Sequence, residues 1–162
     1  MNTTSLTTEQ VQTLRGSLKG HHLEAILTLA LVTGLRRDEL LSLKWQDVNL
    51  DAHEITVRST KTKDHYSVHI PDDVASLLKQ HAIRQEEARL TAGLTWANLD
   101  LIFPDSHGEP LAPQQLIKKF HEVLEQAELP RISFHNLRQT VAQNLYNTLK
   151  KKEREHNDHE NA

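Results

Sequence analysis

The sequence contains no cysteine among its 162 residues. This absence excludes disulfide bonds, thiolate zinc sites and a cysteine nucleophile. The five glycines form no glycine-rich phosphate loop, which argues against a nucleotide-dependent enzyme. The longest apolar stretch, residues 25–32, is too short to cross a bilayer, and the first residues show no secretory signal pattern. We therefore expect a cytoplasmic protein without a membrane partner.

The chain also lacks an excess of charge of one sign. It has 19 lysines and arginines against 22 aspartates and glutamates, for a formal net charge of -3. Overall charge therefore does not indicate a polyanionic partner, and any contact with nucleic acid would require cations that are concentrated locally. With 37% hydrophobic residues, the chain is long enough for one globular domain with a buried core.

Apolar residues at helical spacing predict most of the secondary structure. Thr7 and Gln10 have the spacing of a capping box, which predicts a helix that ends near Gly16. Pro113 and Ser133 are placed to begin two later helices. Helices are predicted over residues 7–16, 23–33, 36–44, 71–89, 113–127 and 133–149.

Between the third and fourth helices the period changes from helical to alternating. Residues 54–58 and 65–70 alternate apolar and polar side chains, and the segment between them is basic. This pattern predicts a β-hairpin with a basic tip.

The expected fold is mainly α with a small antiparallel β-sheet, an α+β domain over residues 1–149. Residues 150–162 are expected to form a charged, flexible tail.

Four cationic or proton-donating side chains stand at similar positions in the predicted elements. Arg36 opens a helix after a glycine turn, Lys61 lies at the hairpin tip, and His135 and Arg138 share a face in the first turn of the last helix. Arginine can grip two phosphate oxygens, and helix starts favour anions. Each residue alone could equally be a surface side chain, and spacing does not establish that the four converge.

Two segments resemble the arginine motifs of the tyrosine recombinases, the phage integrase family. Residues 33–40 (TGLRRDEL) with residues 43–48 (LKWQDV) are similar to the first arginine motif. Residues 133–140 (SFHNLRQT) are similar to the His-x-Leu-Arg motif, and residues 60–63 (TKTK) to the hairpin lysine element. The resemblance covers residues 6–145 and implies the integrase-type catalytic fold.

This resemblance implies site-specific DNA recombination or integration without a metal or other cofactor. The implied partners are double-stranded DNA and other recombinase protomers. In the family a tyrosine attacks the scissile phosphate, which two arginines and a histidine hold while the lysine protonates the leaving oxygen. The resemblance implies that Arg36 and Arg138 hold the phosphate and form a phosphate clamp. It implies that His135 acts as an acid/base or as a hydrogen-bond donor to the phosphate, and that Glu39 supports the first arginine. Lys61 would be the general acid, with Lys63 as its alternative.

The segment after Arg138 departs from the family pattern. Its 24 residues contain neither glycine nor tryptophan, and Gln139 stands where the family usually has histidine. The one tyrosine in this segment, Tyr146, follows Arg138 by only eight residues and is interpreted as a packing residue. We therefore expect a catalytic domain truncated before its nucleophile, which binds DNA and does not cleave it alone.

Two other interpretations of the sequence remain open. The chain could be a non-catalytic DNA-binding regulator, or a remnant derived from an integrase.

The 11 histidines raise the question of a metal site, but they come with no cysteine and no clear carboxylate partner. No metal site is therefore predicted.

Overall fold

Six helices and a small sheet make up the computed structural model, which describes residues 5–58 and 64–160, with the backbone alone for residues 142, 144–149 and 158–160. The helices are α1 (Thr8–Leu18), α2 (Glu24–Thr33), α3 (Arg37–Ser42), α4 (Asp72–Ala92), α5 (Pro113–Gln126) and α6 (Phe134–Glu160). The strands are β1 (Val48–Asn49), β2 (Glu54–Arg58) and β3 (His65–His69). The predicted class, mainly α with a small antiparallel sheet, is confirmed.

The capping box predicted for the first helix is present. The Gln10 amide donates to Thr7 Oγ1 at 3.1 Å, and the Thr7 amide donates to Gln10 Oε1 at 2.8 Å. These two bonds satisfy amides that have no partner within the helix. The helix continues past Gly16 to Leu18, because a single glycine in a helix weakens it without ending it.

Helix α2 lies at the centre of the core. All its residues from Ala25 to Leu31 are buried, so neighbouring elements cover it on every side. It ends at Gly34, whose φ of 69° lies in the left-handed region that glycine adopts without strain. The Cα of Gly34 also lies close to α6, where a Cβ would meet Val141 at 3.6 Å. This turn directs the chain from the core into α3.

The predicted hairpin is present as strands β2 and β3, and β1 adds a third strand that the alternation did not predict. All pairs are antiparallel in the order β1-β2-β3. Ile55 pairs with Val68 and Val57 pairs with Tyr66, so each pair projects from the same face of the sheet. Ile55 and Val57 are fully buried, which identifies this face as the one against the core.

The last helix extends beyond its predicted end. Ser133 Oγ accepts the Asn136 amide at 3.1 Å, which confirms the predicted cap. The helix then runs to Glu160, so the helix end predicted at residue 149 is wrong. Helical hydrogen bonds continue beyond the last residue of the apolar stripe. The division into a domain over residues 1–149 and a tail stays a prediction. The flexibility of residues 150–162 stays a prediction.

A buried contact connects the beginning of the described chain to α6. The Leu6 amide donates to Thr140 Oγ1 at 3.0 Å, and Thr140 is 1% exposed. The described elements therefore share one core, to which α1, α2, α4, α5 and α6 all contribute buried apolar side chains. Among residues 5–58 and 64–160, no helix is both long enough and apolar enough to span a membrane.

Candidate active site

The start of α3, Ile117 of α5 and the start of α6 line a cleft of about 430 Å³. Arg36, His135 and Arg138 all line it, although about a hundred residues separate Arg36 from the other two. The structure thus brings together three of the four residues that the sequence analysis selected for catalysis. Lys61 and its alternative Lys63 lie outside the described residues.

Arg138 is held in place by the turn that ends α2. Its Nε donates to the backbone oxygen of Gly34 at 2.8 Å, and its side chain is partly buried. This bond uses one edge of the guanidinium group and orients the plane of the fork. Within the described residues no other hydrogen bond of Arg138 is present, so its terminal nitrogens can donate to an anion in the cleft.

Arg36 is positioned through its backbone. It stands immediately before α3, and its amide donates to Glu39 Oε1 at 2.8 Å. Glu39 is only 8% exposed, although a buried carboxylate is costly without compensating hydrogen bonds. Glu39 was predicted to support the first arginine. In the structure, the Glu39 carboxylate accepts a hydrogen bond from the backbone amide of Arg36.

Tyr66 is a component of this region that the sequence analysis missed. Its hydroxyl donates to the second oxygen of Glu39 at 3.0 Å. Burial and the adjacent Glu39 raise the pKa of Tyr66, while the positive charges of Arg138 and Arg36 act in the opposite direction. The sequence does contain a signal that could have identified Tyr66. The alternation of β3 puts Tyr66 on the same face as Val68, which is partly buried.

The cleft is rich in positive charge. His135 is exposed in the first turn of α6, where the helix dipole adds positive potential. Arg37 also lines the cleft but is paired with Asp38, its Nε lying 3.1 Å from Oδ1. The charges of Arg36 and Arg138 therefore remain unbalanced by carboxylates among the cleft-lining residues. This arrangement suits an anion such as a phosphodiester.

The remaining candidates from the sequence are Tyr146 and a metal site among the histidines. Tyr146 lies in α6, eight residues and therefore about 12 Å along the helix axis from Arg138. Its side chain is outside the described part. Across the described ranges, no three histidine, aspartate or glutamate side chains form a group that could hold a metal ion.

Comparison with known proteins gives one family. The model of the Phage integrase family matches residues 4–151. A tyrosine recombinase XerC-like protein from Caldanaerobacter subterraneus subsp. tengcongensis is 31% identical over 164 residues. That match covers 85% of this chain and 42% of the relative. The chain therefore spans less than half the length of that curated relative.

Solved structures share the fold. The crystal structure of XerA recombinase matches with a TM-score of 0.78 at 20% identity, over 90% of this chain and 52% of that one. A pre-cleavage complex of the XerH site-specific recombinase bound to difH substrate matches with a TM-score of 0.75 at 24% identity. That match covers 91% of this chain and 44% of the XerH chain. The arrangement of helices and sheet described above is thus that of recombinase structures.

Proposed function

Because the chain belongs to the phage integrase family, we propose that its cleft holds the scissile phosphate of double-stranded DNA during site-specific recombination. The observation that carries this proposal is the convergence of Arg36, His135 and Arg138 on one electropositive cleft. Convergence matters because isolated surface cations bind DNA without selecting one phosphate. Three donors around one cleft can surround a single phosphodiester.

The chemistry follows from the donors. Phosphoryl transfer concentrates negative charge on the non-bridging oxygens, and fixed donors stabilise that charge as it develops. Arg138 is oriented by Gly34, and Arg36 is fixed at its amide by Glu39. His135 would donate to a non-bridging oxygen or serve as acid/base. Lys61, or Lys63, would protonate the leaving oxygen.

The identity of the nucleophile is part of the same proposal. The sequence has two tyrosines, Tyr66 and Tyr146. The hydroxyl of Tyr66 is hydrogen-bonded to Glu39, and its raised pKa opposes formation of a nucleophilic phenolate. Tyr146 stands about 12 Å along α6 from Arg138. We therefore infer that residues 1–162 alone bind DNA without forming a covalent link to it. Further recombinase protomers are proposed partners on that DNA.

Binding to a labelled DNA duplex of mixed sequence tests the clamp. At low salt we expect Arg36→Ala and Arg138→Ala each to weaken binding and to lower the salt dependence by about one released counterion. Arg84→Ala is the matched control, because Arg84 is exposed on α4 and does not line the cleft. Unchanged binding of both cleft variants would favour the non-catalytic regulator, and no binding by the wild type would contradict both functions.

A nicked suicide duplex tests the nucleophile. After incubation of the wild-type chain with this DNA, we expect no protein–DNA adduct on a denaturing gel. A 3′-phosphotyrosyl adduct that disappears in Tyr146→Phe would identify Tyr146 as the nucleophile. An adduct that disappears in Tyr66→Phe would assign the same role to Tyr66. Either result would overturn the proposed binding-only behaviour, while leaving the phosphate clamp intact.

A further inference from the structure

A second cavity lies apart from the cleft that Arg36, His135 and Arg138 line, which is called the arginine cleft below. It has a volume of about 400 Å³ and is formed by one face of α4 together with the segments around Trp45 and residues 96–108. It shares no lining residue with the arginine cleft. Its size is within the range of sites that bind small groups.

Both tryptophans of the chain line this cavity. Trp45 and Trp96 are 51 positions apart in the sequence, and each is only partly buried. The two indoles therefore contribute partly exposed aromatic surface to one concave site. Partly exposed tryptophans at a concave site are typical of recognition surfaces.

The positions of these indoles are built into the fold. The Trp45 indole donates its N–H to Gln85, which in turn donates to the carbonyl oxygen of Leu101 at 2.9 Å. Trp96 packs directly on Gly108, where an added Cβ would lie 2.8 Å from the indole. Gly108 also has a φ of 79°, so its backbone and the close approach both require glycine. The walls are therefore preformed.

The charge at the cavity favours a cation. Glu86 and Arg89 both line it and neutralise each other through a two-bond contact, with Arg89 Nε at 2.9 Å from Glu86 Oε2. Asp100 also lines it and makes no ion pair within the described residues. Its Oδ2 accepts the Gln46 amide at 3.1 Å, which fixes the carboxylate in place. A carboxylate at a cavity that is also lined by two indoles attracts a guanidinium group and repels a nucleic-acid backbone.

Exposed aliphatic side chains continue from the cavity. Ile83, Leu90 and Leu94 are 63%, 67% and 106% exposed and follow one side of α4 and the turn after it. Ile83 and Leu90 are three residues before and four residues after Glu86, which lines the cavity, so they neighbour it on the helix surface. Exposed apolar side chains grouped beside a cavity indicate a contact surface for another molecule.

We propose that this cavity binds an arginine side chain of a partner peptide, with leucine-type residues of the same peptide packing along α4. The guanidinium group lies between the indoles and against Asp100. The flanking aliphatic residues cover Leu90 and Leu94. This site shares no lining residue with the cleft of the phosphate clamp, so the proposal includes binding of its occupant while DNA is held in that cleft.

The two tryptophans make the test direct, because all tryptophan emission of the protein arises at this cavity. The probes are acetyl-Leu-Leu-Arg-Leu-amide and its glutamine counterpart, acetyl-Leu-Leu-Gln-Leu-amide. We expect a saturable change of emission with the arginine peptide and roughly five-fold or weaker affinity for the glutamine peptide. Leu90→Ser should weaken both peptides, because it removes a shared apolar contact.

Asp100→Asn is the decisive variant. Asp100 has a φ of 60°, a conformation that asparagine tolerates, and the asparagine oxygen can still accept the Gln46 amide. Only the charge is lost, so the preference for the arginine peptide over the glutamine peptide should fall, and the cation–π contact with the indoles accounts for what remains. The matched control is Asp51→Asn at an exposed turn, which should leave both affinities unchanged.

Three results would overturn the proposal. They are the absence of any emission change with the arginine peptide, equal affinities for the two peptides, and tighter binding of oligothymidylate than of the arginine peptide at this cavity. Unchanged DNA affinity in Asp100→Asn is expected alongside the reduced preference for the arginine peptide. A failure here therefore leaves the proposed phosphate clamp unaffected.

Discussion

The hydroxyl of Tyr66 lies 3.0 Å from Oε2 of Glu39, and the other oxygen of that carboxylate accepts the amide of Arg36. One buried side chain thus connects strand β3 to the residue that opens α3. Because α3 has only six residues, its own hydrogen bonds give it little independent stability. The position of Arg36 therefore depends on the hairpin, and the chain between its two strands includes Lys61 and Lys63, which the sequence analysis predicted to act on the same phosphate.

Removing the Tyr66 hydroxyl should affect both stability and binding. Tyr66→Phe leaves one oxygen of buried Glu39 without its protein donor, at a cost of about 1–2 kcal/mol in the free energy of unfolding. DNA affinity should fall less than in Arg36→Ala, since the arginine remains. Urea denaturation and duplex binding measure the two effects.

Ser67→Ala is the control for Tyr66→Phe, because successive side chains of β3 project from opposite faces of the sheet. It should leave stability and DNA affinity near wild type. Equal behaviour of the two variants would show that the contact between Tyr66 and Glu39 has no energetic role.

Replacing Arg138 by lysine should separate charge from geometry. Arg138→Lys keeps the positive charge but loses the planar fork that donates to Gly34 while presenting its other nitrogens to a ligand. We expect duplex affinity to fall by about ten-fold, measured by fluorescence anisotropy. Arg131→Lys, at an exposed position outside the cleft, should bind like wild type. Wild-type affinity in Arg138→Lys would mean that charge alone matters.

Two glycine substitutions should change stability in opposite directions. Gly34 has a left-handed φ, so Gly34→Ala should lower the free energy of unfolding by about 1–2 kcal/mol. Gly16 lies inside α1, where an added Cβ would meet no atom within 4 Å, so Gly16→Ala should raise it by about 0.5–1 kcal/mol. Thermal and urea unfolding of both variants provide the comparison. A stabilised Gly34→Ala would contradict the assigned backbone conformation.

His81 should make stability depend on pH. It packs against Trp45 and Phe103, with ring centroids 6.1 and 5.2 Å away. Burial lowers the pKa of His81 from 6.5; the hydrogen bond to the Ile102 carbonyl partly opposes this shift, and the charge of Arg84 adds to it.

Below pH 6.5 the unfolded chain therefore binds a proton that the folded chain resists. The free energy of unfolding is therefore unaffected by the titration of His81 above this pH, and it decreases as the pH falls below it. We expect unfolding free energy to decrease from about pH 7 to pH 5, with a smaller slope in His81→Gln. His107→Gln, which changes an exposed histidine, should retain the wild-type slope. Identical slopes in all three proteins would exclude His81 as the source.

Much of the fold could be predicted because its signals are local. The capping box at Thr7 and the cap at Ser133 depend on residues within three positions, and both are present. The alternation of β2 and β3 was equally readable. The short strand β1 was missed because two residues carry no period, and the end of α6 was misplaced because a polar helix has no apolar stripe to mark it.

For the site, the sequence by itself determined which residue types were available, since Arg36, His135 and Arg138 stand in recognisable motifs. Only the tertiary structure decided that they share one cleft, that Gly34 orients Arg138, and that Tyr66 reaches Glu39. The reason is physical: hydrogen bonds between residues 27 and 104 positions apart depend on how α2, α3, β3 and α6 pack. The same packing brought Trp45 and Trp96 to one cavity, which no local pattern indicates.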